Sequence, residues 1–411
     1  MDAEGFFFEG RGGKETAAKF SLEKDALVVV PQGSKALRLP LRDLASIANS
    51  GYVITMKTRS EDVYELRRLG KRHADMAREL CLAKNELLLD DLLLREKLRR
   101  PALHCDMEYN GLKDKGEVRL YQTSIVLLPD NGSLLHLRYW ELRRQEVKDF
   151  ALMLELRQGE ILLRMLGKEL TPLDKDLETA RAAMGIMALK MVDDLCPGLP
   201  TDARTAGAEL LQEGSSAWRK DVQQASRPLW NAIEMRLKGL GLGSSYDYLS
   251  SKGEVAWMRI GLKKPRTEEG EDYLWFLAPL SKGGNAIAWE AASEEGGRAT
   301  YFFRISMEKG KEAKGLEEEA VQRVAQGLID VNLRREPIYL KDDMLYRPEY
   351  TAYRHACNAL PSLLELRRRF IGRVMHGDEA QWAADVTEVL AFSLNSTPGQ
   401  RWVKAGEEES P

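Results

Sequence analysis

The chain has 411 residues, 44% of them hydrophobic and 30% charged, with 33 Gly, 15 Pro and 4 Cys. That balance excludes collagen-like, disulfide-scaffold and wholly disordered chains, and the length predicts two or three domains rather than one core. Against 64 acidic side chains stand 61 basic ones, a formal net charge of −3, so no overall field draws the molecule to nucleic acid or anionic lipid and either partner would need a local patch.

The opening residues, Met1 to Phe8, carry neither a basic leader nor a long apolar stretch, so no export signal is read and a cytoplasmic location is expected. The apolar runs at 26–30 and 124–128 are strand-sized, far short of the roughly 20 residues of a membrane helix. Cys81, Cys105, Cys196 and Cys357 are scattered, with no Cys-x-x-Cys and no histidine at zinc-finger spacing. Neither a disulfide framework nor a metal site is expected, and no cofactor.

In chain order, residues 18–22, 27–30, 36–39, 52–58 and 63–66 alternate or cluster apolar side chains between turn signals, the pattern of an antiparallel meander. A helix follows Gly70, with Met76, Leu80 and Ala83 on one stripe. The next hundred residues repeat this plan. Phe20 and Leu22 fall on Val118 and Leu120, Val30-Pro31 on Leu128-Pro129, and Leu39, Leu44 and Tyr52 on Leu137, Leu142 and Phe150, at a constant offset of 98. After one deletion Leu69-Gly70-Lys71 meets Leu166-Gly167-Lys168 at an offset of 97. Copy two accordingly has strands at 118–120, 125–128, 134–137, 150–156 and 161–163, and a helix carrying Leu170, Leu173, Leu177 and Ala180. Alternation is common by chance, but the shared order of proline, turn and Leu-Gly-Lys points to duplication.

The strand order, the Leu-x-x-Leu-Gly entry and the closing helix, over residues 15–95 and 105–190, resemble a pleckstrin-homology-like domain twice over. The resemblance implies partly open β-barrels or sandwiches, each closed by a C-terminal helix. It further implies binding of lipid headgroups, peptides or proteins more often than catalysis. Phosphoinositide-binding members carry basic residues around the first two strands. The matching positions are Lys113, Lys115 and Arg119 in copy two, interrupted by Asp114 and Glu117, and Arg11, Lys14 and Lys19 in copy one, interrupted by Glu15.

The second closing helix is read to about 192, stopped by Cys196-Pro197-Gly198-Leu199-Pro200. Helices at 202–212 and 216–238 then form a connector, and residues 239–245, rich in Gly and Ser, read as a helix end and linker rather than a phosphate loop, since no strand precedes them. Beyond Tyr246 come strands at 255–260, 273–277, 286–289 and 299–305, the last two separated by a turn at Gly296-Gly297, and an amphipathic helix at 317–333 whose acidic start suits the helix dipole. No constant offset relates this region to the two copies. Helices follow at 349–359, 361–375 and 378–392, and a loose acidic tail ends in Glu407-Glu408-Glu409.

The expected fold is α+β: copy one at 1–100, copy two at 101–200, a helical connector at 201–245 and an aromatic-rich α+β domain with terminal helices at 246–411. Trp275 and Trp289 are expected in its core, with a ligand groove as the alternative. Tyr350 and Arg354, four residues apart on one helix face, are compatible with an anion clamp or a surface contact. His355 and Cys357 point away from each other on a helix, and His376, Asp378 and Glu379 read as a helix start rather than a metal site. Arg334-Arg335 and Arg367-Arg368-Arg369 are diluted by Glu336 and Glu365, so no nucleic-acid binding is expected. With no catalytic constellation, the expected role is a non-catalytic interaction or scaffold protein whose partner is a protein or peptide. The alternatives are an enzyme or small-ligand protein with its site in the C-terminal domain, using Tyr350, Arg354 or His376, and peripheral binding to anionic lipid.

Overall fold

The computed structural model describes residues 1–10, 14–58, 60–91, 96–109, 111–156, 159–263, 273–292, 299–308 and 313–404. Arg11, the turn at Gly296-Gly297 and the tail at Glu407-Glu408-Glu409 lie outside the described residues. The chain is mixed α+β and divides into two compact units, one of Met1–Arg181 with Asp342–Pro361, the other of Ala182–Lys341 with Ser362–Pro411. Among the described residues, no helix is long and apolar enough to cross a membrane.

The first unit contains both copies as far as Arg181, within the second closing helix. Copy one runs β1 (Asp2–Glu9), β2 (Thr16–Leu22), β3 (Ala26–Pro31), β4 (Leu37–Pro40), β5 (Leu44–Ser50), β6 (Val53–Thr58), β7 (Val63–Arg67) and helix α1 (His73–Asp91). Copy two runs β8 (Leu103–Tyr109), β9 (Leu112–Leu120), β10 (Ser124–Pro129), β11 (Leu135–Arg138), β12 (Leu142–Lys148), β13 (Ala151–Leu156), β14 (Glu160–Arg164) and helix α2 (Leu170–Leu195). The two antiparallel sheets have one topology, β4-β3-β2-β1-β7-β6-β5 and β11-β10-β9-β8-β14-β13-β12. One apolar cluster draws on all seven strands of copy one, from Leu27 and Leu39 to Leu44, Ile54 and Leu66, so the sheet curls over its own core with Met76 and Leu80 of α1 closing it.

Irregularities recur along with the strands. Each copy carries a bulge, between Leu44 and Ser46 and between Leu142 and Arg144. In each, a basic side chain from the closing helix reaches this segment: Lys84 Nζ donates to Ala45 O at 3.0 Å, and Arg181 Nη2 to Leu142 O at 3.0 Å. A bulge leaves carbonyls out of the ladder, and a long cation is the cheapest way to satisfy them. Gly70 and Gly167 take φ of +56° and +54°, left-handed values that glycine adopts without Cβ strain, which accounts for the repeated Leu-Gly-Lys.

Three features depart from the sequence reading. Each sheet has two strands more than expected. The first strands, β1 and β8, pair with strands about sixty residues on, through Phe7–Leu66 and Met107–Leu163. Helix α1 also serves both copies, because Leu82 and Leu89 pack on Tyr121, Val126 and Leu128, and Asn85 bonds to Gly132 O (3.0 Å) and Leu134 N (3.2 Å). β10 is therefore covered on both faces, which explains its unbroken apolar run.

The second unit, which α2 leads into, contains α3 (Thr201–Leu210), β15 (Ala217–Trp218), α4 (Arg219–Ala225), α5 (Arg227–Leu237), α6 (Gly243–Lys252), β16 (Arg259–Lys263), β17 (Tyr273–Leu280), β18 (Ala286–Ala292), β19 (Ala299–Arg304), α7 (Glu317–Asp330) and α8 (Glu336–Tyr339). After α9 (Thr351–Ala359), which belongs to the first unit, it resumes with α10 (Pro361–Arg369), β20 (Phe370–Met375) and α11 (Glu379–Asn395). β15 to β20 pair antiparallel in sequence order, an order different from that of the two copies. Phe276, Ala288 and Phe302 face Trp230, Ile233 and Leu237 of α5 and Val386 and Val389 of α11. Their strand neighbours Trp275, Trp289 and Tyr301 are buried on the opposite side, where α7 packs on β17. All six residues of β19 are buried, as a central strand covered on both faces requires.

Here too the structure corrects the reading. The glycine segment taken for a linker is helical: α5 and α6 join at a kink where Gly241 has φ +79°, and Leu242, Ser245 and Tyr246 are buried. The connector helices and the aromatic sheet share one cluster. The helix expected at 216–238 breaks at Ser226, whose hydroxyl caps α5 by accepting from Leu229 N at 3.2 Å, with Pro228 in the first turn. Residues 255–257 form a short turn, so the strand expected at 255–260 begins at Arg259. The helix expected at 361–375 becomes strand at Phe370, because a short segment buried on both sides has no periodicity to separate the two.

Candidate binding site

In copy one, β4 is an edge strand, paired among the described residues only with β3. Beside it the sheet opens into a groove of about 280 Å³, bounded by Leu37, Leu39 and Pro40, by Leu44, by the β6–β7 hairpin with Thr58, Ser60, Asp62 and Tyr64, and by Tyr346 and Arg354 from Asp342–Pro361. Leu37, Leu39, Pro40 and Leu44 give it an apolar side, Thr58, Ser60 and Asp62 a polar one, and its charges are mostly spent. Arg38 bonds to Glu23 and lies 2.7 Å from Asp25 Oδ1, and Arg354 Nη2 lies 2.7 Å from Asp43 Oδ1. Burial raises the pKa of the Tyr64 phenol, with Asp62 adding to the effect, so the ring presents a neutral hydroxyl.

Helix α9 is anchored to copy one by a buried polar cluster. Asp91 at the end of α1 takes two bonds from Arg42, Nε to Oδ2 at 2.9 Å and Nη2 to Oδ1 at 3.0 Å, and its Oδ2 lies 2.7 Å from His355 Nδ1. His355 is wholly buried, and among the described residues its Nε2 has no hydrogen-bond partner. Burial lowers its pKa against the opposing pull of Asp91, so it docks as the neutral Nδ1–H tautomer. Copy two has Trp140 and Ala188 at the positions of Arg42 and Asp91, so this polar anchor is particular to copy one.

Copy two has an open pocket of about 470 Å³ at its first hairpin, where Lys113, Lys115 and Arg164 stand among Asp106, Glu108, Asp114 and Asp130. Lys113 lies 3.7 Å from Glu108 and Lys115 3.8 Å from Asp106. Burial raises the pKa of Asp130, with His104, 3.6 Å away, opposing. Four carboxylates against three cations do not make a phosphate site.

The structure thus brings Lys113 and Lys115 together in that pocket but leaves Arg119 outside it. Burial works against the Arg119 charge, but its bonds to Glu86 and to Glu117 (Nη2 to Oε2, 2.7 Å) hold its pKa above the usual range. Trp275 and Trp289 are each 1% exposed and offer no groove wall. Tyr350 and Arg354 do not form an anion clamp: Tyr350 stacks near Tyr353 at 6.2 Å, while Arg354 is held by Asp43 and lies over Tyr346 at 5.2 Å. Arg367 and Arg369 are buried donors to main-chain carbonyls, Pro337 O at 2.6 Å and Ile305 O at 2.8 Å among them, which leaves Arg368 as the exposed member of that cluster.

His376 stacks on Trp382 and lies 3.0 Å from Oε1 of the buried Glu290, which also accepts from Ser245 and Thr300. With Trp382 Nε1 donating to Thr300 Oγ1 at 3.0 Å, this network ties the sheet of the second unit to α6 and α11. Asp378 caps α11 by accepting from Gln381 N at 3.0 Å, in keeping with a helix start. Burial raises the thiol pKa of Cys81, and that of Cys105 to about 12, so neither is a thiolate nucleophile near neutrality.

Apart from Arg354, the groove residues escaped the sequence reading because edge strand, hairpin and α9 meet only in the folded unit. One signal was there to use, since Arg42 and Asp91 are charged where copy two has Trp140 and Ala188. No protein-family model matches the chain, and no curated protein matches it.

Proposed function

We propose that the chain is a non-catalytic protein-interaction protein built on duplicated pleckstrin-homology-like domains, and that copy one takes an extended peptide in the groove beside β4. Seven meandering strands followed by a helix, made twice, support the domain reading. The observation that carries the peptide reading is the unpaired edge of β4 running alongside the apolar walls of Leu37, Leu44, Tyr64 and Tyr346. Main-chain bonds to an edge supply affinity, and pockets for alternate side chains supply selectivity. Paired Arg38 and Arg354 leave a rim that favours an apolar, near-neutral ligand.

Selection of displayed random peptides on the full chain tests this. Enriched peptides should bind the wild type and lose at least about tenfold in affinity for Leu37→Glu and Tyr346→Ala, with unchanged circular dichroism. Peptides that bind both variants as well as the wild type would remove the groove from the reading.

A further inference from the structure

We propose that the second unit binds a phosphate group, free or carried on a small ester, between Arg335 and Arg373, with the Tyr301 hydroxyl as a further donor. The site does not rest on the β4 groove, which belongs to the first unit. Tyr301 and Arg373 are cross-strand partners on β19 and β20 and so share one face of the sheet. Arg335, the residue before α8, has its Cζ 5.7 Å from the centre of the Tyr301 ring and 6.0 Å from that of Trp289. One helical turn on, Tyr339 carries Arg373, whose Cζ lies 4.6 Å from its ring centre. Arg401 closes the group: it donates to Tyr339 O and lies over Phe370 at 5.3 Å, and Phe370 is 6.5 Å from Tyr301.

The donors left unspent identify the ligand. Other arginines of this unit give their N–H groups to the protein: Arg304 to Ser393 O and Ser396 O, Arg367 to Pro337 O and Leu340 O, Arg369 to Glu365 and Ile305 O. Arg335 and Arg373 are half-buried, yet among the described residues neither has a carboxylate within ion-pair distance. Taking a guanidinium partly out of water without a counter-charge is costly, and a ring beneath it returns only part of that cost. Tyr301 is 4% exposed, and among the described residues its hydroxyl has no hydrogen-bond partner. The carboxylate beside Tyr339 is the exposed Glu336, set against three guanidiniums. Two planar forks and a phenol offer more donors than the two oxygens of a carboxylate accept. The three terminal oxygens and double charge of a phosphate dianion match them.

Isothermal titration calorimetry of the full chain with inorganic phosphate and with glucose 6-phosphate tests the proposal. The wild type should bind, more weakly as salt rises. Inorganic phosphate binding as tightly as the ester assigns the site to the free anion, and tighter binding of the ester assigns it to a phosphomonoester. Arg335→Gln and Arg373→Gln should each weaken binding about tenfold, and Tyr301→Phe about fivefold, with unchanged circular dichroism. Arg368→Gln removes an exposed charge of the same unit outside the site and should bind as the wild type does. A wild type that binds neither probe overturns the proposal. So do Arg335→Gln and Tyr301→Phe variants that keep wild-type affinity, or an Arg368→Gln variant that loses as much as they do.

Discussion

Lowering the pH should loosen α9 from copy one, through His355. Docked, the imidazole is buried and neutral; released into water it has an ordinary pKa of about 6.5. The charged groups facing it are Asp91 and Lys84 of α1 and Arg42 of the turn after β4. The single carboxylate is already engaged by Arg42, so a second proton on His355 would set imidazolium, guanidinium and ammonium against one anion. The sign follows from the lowered pKa: docking is fully supported above about 6.5 and weakens as pH falls below it, because the released state binds one more proton. One pH unit below that value the docking equilibrium should fall about tenfold, roughly 1.4 kcal/mol, until the docked pKa is reached. Hydrogen exchange of the amides in 351–359, corrected for intrinsic rates, reads this locally. A local probe is needed because His136, whose burial holds its pKa down to about 3, also titrates on global unfolding. His355→Asn keeps a donor near the Nδ1 position and cannot take up the proton, so its protection should lose the slope. Protection in the wild type that is independent of pH between 7.5 and 5.5, or the same slope in His355→Asn, would refute the reasoning.

Other outcomes follow from single contacts. Asp91→Ala should destabilise the first unit by about 3 kcal/mol, since it removes the carboxylate that His355 and Arg42 share, and urea unfolding measures it. Gly261→Ala should cost about 1–3 kcal/mol, because its Cβ would lie 2.3 Å from the Trp275 ring; differential scanning calorimetry checks it. Lys113→Ala and Lys115→Ala should each change stability by less than about 1 kcal/mol, both being exposed partners of carboxylates, and titration with inositol phosphate should give the same result for both variants as for the wild type.

The duplication was legible in the sequence because what repeats is local. Leu-Gly-Lys survives because a left-handed residue must sit at Gly70 and Gly167, and Pro31 and Pro129, the last residues of β3 and β10, end each strand in the same register, so a constant offset carried real geometry. Most elements of the second unit also announced themselves, and Trp275 and Trp289 went to its core as expected. The strand at Phe370–Met375 did not, since burial on both faces erases the period that separates strand from helix. Tertiary structure alone decided that β1 and β8 join their sheets, because their partners lie about sixty residues away. It alone sent α9 back to copy one, where Asp91, Arg42 and His355 meet across more than two hundred and sixty residues. Hydrophobic pattern records whether a side chain is buried, and only the folded chain records against what.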